Sequence, residues 1–156
     1  MPDLQAGSTT VMEIDGSGSG AGTAGTDYDL IVVTSPGVLD YGGTLDLVFG
    51  NLAPFADGTV FDLFSFGSKV NFFAQVMSSG IGSYAGLNFS GSGGVWTSSA
   101  AGQTITFSES TGQLLFTNSS PTPGIPEIDP ASLGSVVALV AGALGLVERR
   151  SRRGRV

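Results

Sequence analysis

The stretch GGTLDLVF, residues 42–49, decides the fold class of this chain. Its apolar residues Leu45, Leu47 and Phe49 occupy every second position, with Thr, Asp and Val between them. Alternation of this kind is typical of a β-strand that buries one face, and the two leading glycines mark a turn. The stretch therefore predicts a half-buried strand over residues 44–49.

Short segments of similar composition lie on both sides of this strand, about ten residues apart and separated by turns that contain Gly, Ser or Pro. We predict further strands within residues 11–14, 28–34, 38–41, 59–66, 70–77, 86–89, 94–97, 104–107 and 113–117. In 59–66 apolar residues fall on both faces, which indicates a strand buried on two sides. No helical period occurs before residue 130, so residues 1–117 are predicted to form a Gly-rich all-β domain.

The composition excludes several classes of enzyme. The 156 residues include 25 Gly but no Cys and no His, and only 12% are charged. Disulfides, Cys or His nucleophiles, the usual zinc sites and Ser-His-Asp catalysis are therefore ruled out. We expect a protein that is not an enzyme and that needs no cofactor and no metal.

The charges are segregated along the chain. Residues 1–147 contain a single basic residue, Lys69, and all but one of the 13 acidic residues. The other five basic residues are arginines within 149–155. An acidic body of this kind repels phosphate, so we expect no nucleic-acid partner.

The C-terminal part has two further regions. Residues 118–130 hold four prolines and are predicted to form an extended linker. Residues 131–147 carry no charge and, as a helix, would span roughly 26 Å, near the thickness of a bilayer core. The arginines after this run predict a transmembrane helix with a cytoplasmic tail over 131–156 and the N-terminal body outside. A buried helix with a basic tail and a plain unprocessed tail anchor are the alternatives.

These C-terminal features occur in a fixed order: a Pro-Glu pair, one apolar helix and an arginine cluster. The order resembles the PEP-CTERM sorting signal, the substrate of membrane-embedded exosortases. The residues that match its motif region are Pro126, Glu127, Ile128, Asp129 and Pro130, and those that match its stop signal are Arg149, Arg150, Arg152 and Arg153. Ile128 stands where the family has proline, which leaves the cleavage position open. The resemblance implies an exosortase-like peptidase or transpeptidase and the membrane as partners, with release or re-anchoring after processing.

The body, over residues 7–117, resembles the C-terminal stretch of exported, autotransporter-associated β-strand-repeat proteins. Segments such as GGTLDL at 42–47 and GTVFDLF at 58–64 carry this resemblance. It implies the end of an elongated β-solenoid, with the Phe-rich second half folded over the open sheet edge. No regular internal period is present, and a small β-sandwich explains the same strands.

The N-terminus lacks the basic and apolar regions of a secretory signal. Residues 1–14 look like the middle of a solenoid coil. We therefore expect that Met1 is a mis-assigned start or that the chain is a fragment of a longer exported protein.

Three acidic residues near a Gly-rich loop, Asp15, Asp27 and Asp29, form a candidate calcium site. Their spacing fits no calcium-loop motif, and turn formation by Asp is the favoured interpretation. The loop at 16–22 lacks the Lys and the helix of a phosphate-binding loop, so we interpret it as a flexible connection.

Two aromatic residues, Trp96 and Tyr84, form a candidate sugar-stacking platform, although core packing is the favoured interpretation. A pair of catalytic carboxylates for glycoside hydrolysis cannot be chosen from the remaining candidates, and a solvated strand face accounts for them more simply. These candidates are Asp40, Asp46, Asp57 and Asp62.

Together these features predict an exported structural or surface protein that is anchored in the cell envelope and processed by an exosortase. Two alternatives stay open at this point. One is an extracellular carbohydrate-binding or adhesive module with an exopolysaccharide as its partner. The other is the C-terminal fragment of a larger secreted enzyme.

Overall fold

The alternating segment at 44–49 becomes the central strand of a parallel sheet. The computed structural model describes residues 3–16, 20–34 and 36–119, which contain twelve strands and no α-helix. The strands are β1 (Thr9–Ile14), β2 (Ile31–Val32), β3 (Val38–Asp40), β4 (Thr44–Phe49), β5 (Val60–Asp62), β6 (Phe64–Ser65), β7 (Ser68–Val70), β8 (Gln75–Gly80), β9 (Ser90–Ser92), β10 (Val95–Ala100), β11 (Gln103–Ser108) and β12 (Gln113–Asn118). A 3₁₀ turn, Gly82–Tyr84, follows β8.

Three parallel ladders organise the first half of the chain. Strand β4 lies between β1 and β8, β2 pairs with β6, and β3 pairs with β7. Leu45 is in register with Thr10 on one side and with Val76 on the other. Apart from β5, the strands from β1 to β8 are added to the three ladders in a fixed order. Strands β1, β2 and β3 begin the three ladders, β4, β6 and β7 pair with them in the same order, and β8 is added to the first ladder again. The chain therefore returns to each ladder after a circuit of about 30 residues.

The second half is an antiparallel sheet with the strand order β5-β12-β11-β10-β9. Two of its hairpins have two-residue loops, Gly93-Gly94 and Ala101-Gly102, in which both residues have positive φ. This is the turn geometry whose twist matches that of paired strands, and it favours Gly. Hairpin pairing therefore follows from local turn chemistry in this half.

Backbone groups of the second half cover the outer edge of the last parallel strands. The Ser78 and Phe89 amides bond to the Leu87 and Val76 carbonyls, which pairs β8 with the segment after the 3₁₀ turn. The Gly112 carbonyl accepts hydrogen bonds from the Leu63 and Phe64 amides beside β6. An uncovered sheet edge carries unpaired N–H and C=O groups and invites aggregation. The antiparallel half thus provides hydrogen-bond partners for backbone groups at the edge of the parallel half.

One hydrophobic core runs through both halves, and aromatic rings dominate it. The rings pack in two groups, each with members from the parallel and the antiparallel strands. The first group is Phe49, Phe55, Phe61, Tyr84 and Phe116, and the second is Tyr41, Phe64, Phe73 and Phe107. Edge-to-face and tilted pairs of this kind contribute about 0.5–1.5 kcal/mol each beyond the area they bury.

The all-β prediction is confirmed, and Leu45, Leu47 and Phe49 are fully buried as the alternation predicts. The prediction of a single strand over 59–66 is wrong, because the strand is interrupted at Leu63. Strand β5 joins the antiparallel sheet and β6 joins a parallel ladder, so the segment connects the two halves. The strand predicted over 28–34 is shorter, Ile31–Val32, because its first residues turn back against β1.

The described residues contain no helix long and apolar enough to cross a membrane. The transmembrane helix predicted over 131–147 lies outside those residues, as do most of the linker and the sorting motif.

Replacing Gly112 with Ala tests the contact between Gly112 and Phe64, where the antiparallel half meets the parallel half. Gly112 has a φ of +72°, and an added Cβ would meet the Phe64 carbonyl. Gly102 has a φ of +74° but open space around its Cβ position, so it is a matched control. A side chain in this backbone region costs about 1–2 kcal/mol. We expect Gly102→Ala to lower the free energy of unfolding by that amount, and Gly112→Ala to lower it by at least about 1 kcal/mol more.

Urea denaturation of the two variants and the wild type measures this difference. An equal loss of unfolding free energy in both variants would show that the contact between Gly112 and Phe64 adds nothing to the stability of the fold.

Candidate functional site

A completely buried carboxylate, that of Glu109, lies where the two halves meet. Glu109 directly follows β11, in the loop that leads to β12. Its Oε1 atom accepts hydrogen bonds from the Trp96 indole Nε1 (2.8 Å) and the Phe73 amide (3.0 Å). Its Oε2 atom lies 3.1 Å from the Lys69 ammonium. A buried carboxylate needs such partners, since its desolvation alone costs several kcal/mol.

Lys69, on β7, supplies the positive charge of this site. Its Nζ atom also donates to the Asn71 carbonyl (2.9 Å) and lies 3.6 Å from the centroid of the Phe72 ring. The Tyr41 ring is 5.5 Å away on another side. Aromatic faces attract cations, and the attraction grows when water is excluded. The ammonium thus contacts the Phe72 ring, the Asn71 carbonyl and the Glu109 carboxylate, while 17% of the Lys69 side chain stays exposed.

The hydroxyl of Tyr41 is buried in the same region, and none of the residues that the structure describes is a hydrogen-bond partner for it. Burial, followed by the negative charge of Glu109, raises the pKa of Tyr41 above its ordinary value. The phenol therefore stays protonated at any physiological pH. We call Tyr41, Lys69, Trp96 and Glu109 together the Glu109 centre.

The Glu109 centre joins elements from both halves of the fold. Lys69 and the Phe73 amide belong to the parallel half, whereas Trp96 lies on β10 of the antiparallel sheet. Chemically, the centre holds an amine against one oxygen of a carboxyl group and two N–H donors against the other. Sequence reasoning missed it. The available signal was that Lys69 is the only basic residue before Arg149 and Glu109 the only acidic residue between 63 and 126.

A second buried polar group surrounds Tyr84. The Tyr84 hydroxyl donates to the Gln103 side-chain carbonyl and accepts a hydrogen bond from the Phe55 amide (3.1 Å). The Gln103 amide group donates to the Phe55 carbonyl (2.8 Å) and to Asn118 (3.1 Å). Burial raises the pKa of Tyr84, and the Phe55 amide opposes that effect. In contrast to Tyr41, this hydroxyl is fully paired.

The candidate sugar platform is not assembled from Trp96 and Tyr84. Tyr84 lies inside the core, where its ring stacks on Phe55. Trp96 is half-buried and its indole N–H is bound to Glu109. Both residues serve the packing that the favoured interpretation predicted.

The acidic residues of the candidate calcium site line a cleft of about 110 Å³ beside Tyr28. Two of their carboxylates bind the protein's own backbone: Asp29 accepts from the Glu13 amide (2.8 Å) and Asp27 from the Thr23 amide (2.7 Å). The Asp27 bond is of the local kind by which Asp stabilises turns, whereas the Asp29 bond joins its loop to β1.

The four carboxylates considered for glycoside hydrolysis have separate partners. Asp40 binds Asn71, Asp46 binds Ser79, Asp57 binds the Asn118 amide and Asp62 binds Gln113. Within the part of the chain that the structure describes, no group of three or more acidic residues is arranged so that it could hold a metal ion.

Comparisons with known protein families, with curated proteins and with solved structures found no match to this chain. The predicted motif Pro126, Glu127, Ile128, Asp129 and Pro130, and the arginines from Arg149 onward, lie outside the described residues.

A pair of Tyr→Phe variants tests the hydrogen-bond assignments at pH 7. Tyr84→Phe leaves the Phe55 amide and the Gln103 side chain without their partner, which should cost about 1–3 kcal/mol of unfolding free energy. Tyr41→Phe removes a hydroxyl that has no partner, so we expect a stability within about 0.5 kcal/mol of the wild type or above it. Chemical denaturation measures both values. A Tyr41→Phe loss as large as that of Tyr84→Phe would contradict the assignment.

Alkaline pH should destabilise the fold through the same tyrosines. The unfolded chain releases a phenol proton near pH 10, whereas the folded state keeps it because the pKa of Tyr41 is raised. The free energy of unfolding should therefore be unaffected below about pH 9 and fall above pH 10, by up to about 1.4 kcal/mol per pH unit for each such tyrosine.

Denaturation curves between about pH 8 and pH 11 measure this slope. Tyr41→Phe should reduce the slope, and the remainder includes Tyr84, whose pKa burial also raises. An identical slope in the variant would refute the role of Tyr41.

Proposed function

We propose that this protein is an exported structural component of the cell envelope or cell surface and that its body is the capped end of a β-solenoid. The observation that carries the proposal is the path of the chain, which visits three parallel ladders twice in the same order. An antiparallel sheet then covers the last parallel strands. Coils that stack in this way are the repeating unit of solenoid proteins, and a terminal cap keeps them soluble.

The use of polar side chains supports a structural role. The buried polar groups at Glu109 and Gln103 bind other parts of the same fold. The acidic side chains considered as catalysts or metal ligands are also held by internal hydrogen bonds. A protein whose polar groups are used in this way is suited to hold a shape at a surface.

The C-terminal sequence supports export and anchoring. The uncharged run at 131–147 has the length and glycine content of a membrane helix, and five arginines follow it. With Pro126-Glu127 before the run, the tail has the layout of a PEP-CTERM signal. We infer a single-pass protein whose N-terminal body lies outside the cytoplasm. An exosortase-like enzyme processes it at the outer face of the membrane that the helix spans and then releases or re-anchors it.

Replacement of Pro126 and Glu127 by Ala in the full chain tests this signal. With a secretory signal peptide fused to the N-terminus and in a host that carries an exosortase, the wild-type chain should lose its C-terminal segment, and the variant should stay full-length in the membrane fraction. The matched control replaces Pro121 and Pro123, which belong to the same Pro-rich linker but lie outside the motif. Immunoblots with tags on both ends follow the processing.

Control and wild type should be processed alike if the motif is recognised. Normal processing of the Pro126/Glu127 variant would overturn the motif assignment, and equal loss of processing in the control would assign the effect to the linker.

A further inference from the structure

We propose that the Glu109 centre crosslinks the protein to itself, through an amide bond between the Lys69 Nζ atom and the Glu109 Cδ atom. The two side chains are already in contact, with Nζ 3.1 Å from Oε2 and the Glu109 side chain fully buried. This inference concerns the chemistry of the body alone and holds wherever the protein is located.

Two of the donors around Glu109 lie where an oxyanion hole for acyl transfer would need them. Attack of an amine on a carboxyl carbon places negative charge on one oxygen, and two fixed N–H groups stabilise such an oxyanion. Here the Trp96 indole N–H and the Phe73 amide both point at Oε1, at 2.8 and 3.0 Å. The other oxygen, Oε2, faces the amine and is free to leave.

The surroundings favour the neutral product over the ion pair. The Glu109 side chain has no exposure to water, the Lys69 side chain keeps only 17%, and the Phe72 and Tyr41 rings lie 3.6 and 5.5 Å from the ammonium. Two charges in such a site each carry a desolvation cost, and an amide carries no charge. Fixed contact between the groups also replaces a bimolecular encounter, for which effective concentrations of about 10⁵–10⁸ M are reached in well-oriented cases.

The step balances without any further reactant. The Lys69 ammonium passes one proton to Oε2, which leaves a neutral amine beside a carboxylic acid. The nitrogen lone pair forms the bond to Cδ, and the carbonyl electron pair moves to Oε1. A second proton goes from the nitrogen to Oε2, the Cδ–Oε2 bond breaks and water leaves as the Oε1 carbonyl re-forms. One hydrogen stays on the amide nitrogen.

The bond would connect the two halves of the fold covalently. Lys69 and Glu109 are 40 residues apart in sequence, one on β7 and the other in the loop between β11 and β12. The chain has no cysteine, so a disulfide cannot provide such a connection. A crosslink that closes a loop of this length restricts the unfolded chain.

Trypsin digestion of the denatured full chain tests the crosslink, because Lys69 is the only Lys or Arg before Arg149. The chain is produced in a host without an exosortase, denatured, weighed by mass spectrometry and then digested. An amide at Lys69 predicts an intact mass lower by one water molecule and a single peptide spanning residues 1–149, since trypsin does not cut after an acylated lysine. An ion pair predicts the unmodified mass and two peptides, 1–69 and 70–149.

Lys69→Arg is the matched control. It keeps the positive charge and the trypsin site, but a guanidinium is not a nucleophile at neutral pH. The variant should therefore have its full mass and be cut at position 69. Asp15-Gly16 and Asp57-Gly58 can also lose water by forming succinimides. Cleavage of the wild type after Lys69, or a water loss that persists in Lys69→Arg, would overturn the proposal.

Discussion

The unpaired edge of a parallel sheet is the constraint on which the rest of this structure depends. Strand β8 ends the stack that begins with β1 and β4, and its outer N–H and C=O groups need partners. The segment after the 3₁₀ turn supplies them, and Gly112 does the same for the chain beside β6. Within residues 81–119, the segment that contains Leu87 and Phe89 and the turn at Gly112 therefore cover the edge, and aromatic rings from both halves fill the space behind it.

The Glu109 centre is a polar contact between the same two halves that the aromatic rings connect. A carboxylate without exposure to water would destabilise the fold by several kcal/mol if it were unpaired. Three donors from the two halves of the fold, Lys69, the Phe73 amide and Trp96, remove that penalty, and they meet only when the antiparallel sheet is docked against the parallel half. The Glu109 centre thus favours one position of the antiparallel sheet on the parallel half, whereas packing of the aromatic rings supplies the free energy for this contact.

The proposed role at the cell surface is consistent with these two features. A structural protein outside the cytoplasm benefits from a fold whose edges are closed and whose halves are held together by a specific buried contact. Without cysteine, that contact has to come from side chains such as Lys69 and Glu109. The proposed C-terminal signal rests on the sequence of residues 126–155.

The sequence by itself determined the strands whose pattern is local. Alternation at Leu45, Leu47 and Phe49 predicted a half-buried strand, and the segments that became β11 and β12 were predicted almost to their ends. It also determined the segregation of charge. Only the tertiary structure decided the break at Leu63, the parallel direction of β1, β4 and β8, and the meeting of Lys69 with Glu109. The physical reason is that alternation specifies which face of a strand is buried and leaves its neighbour open. Contacts across 40 residues arise only when the whole chain has found its register.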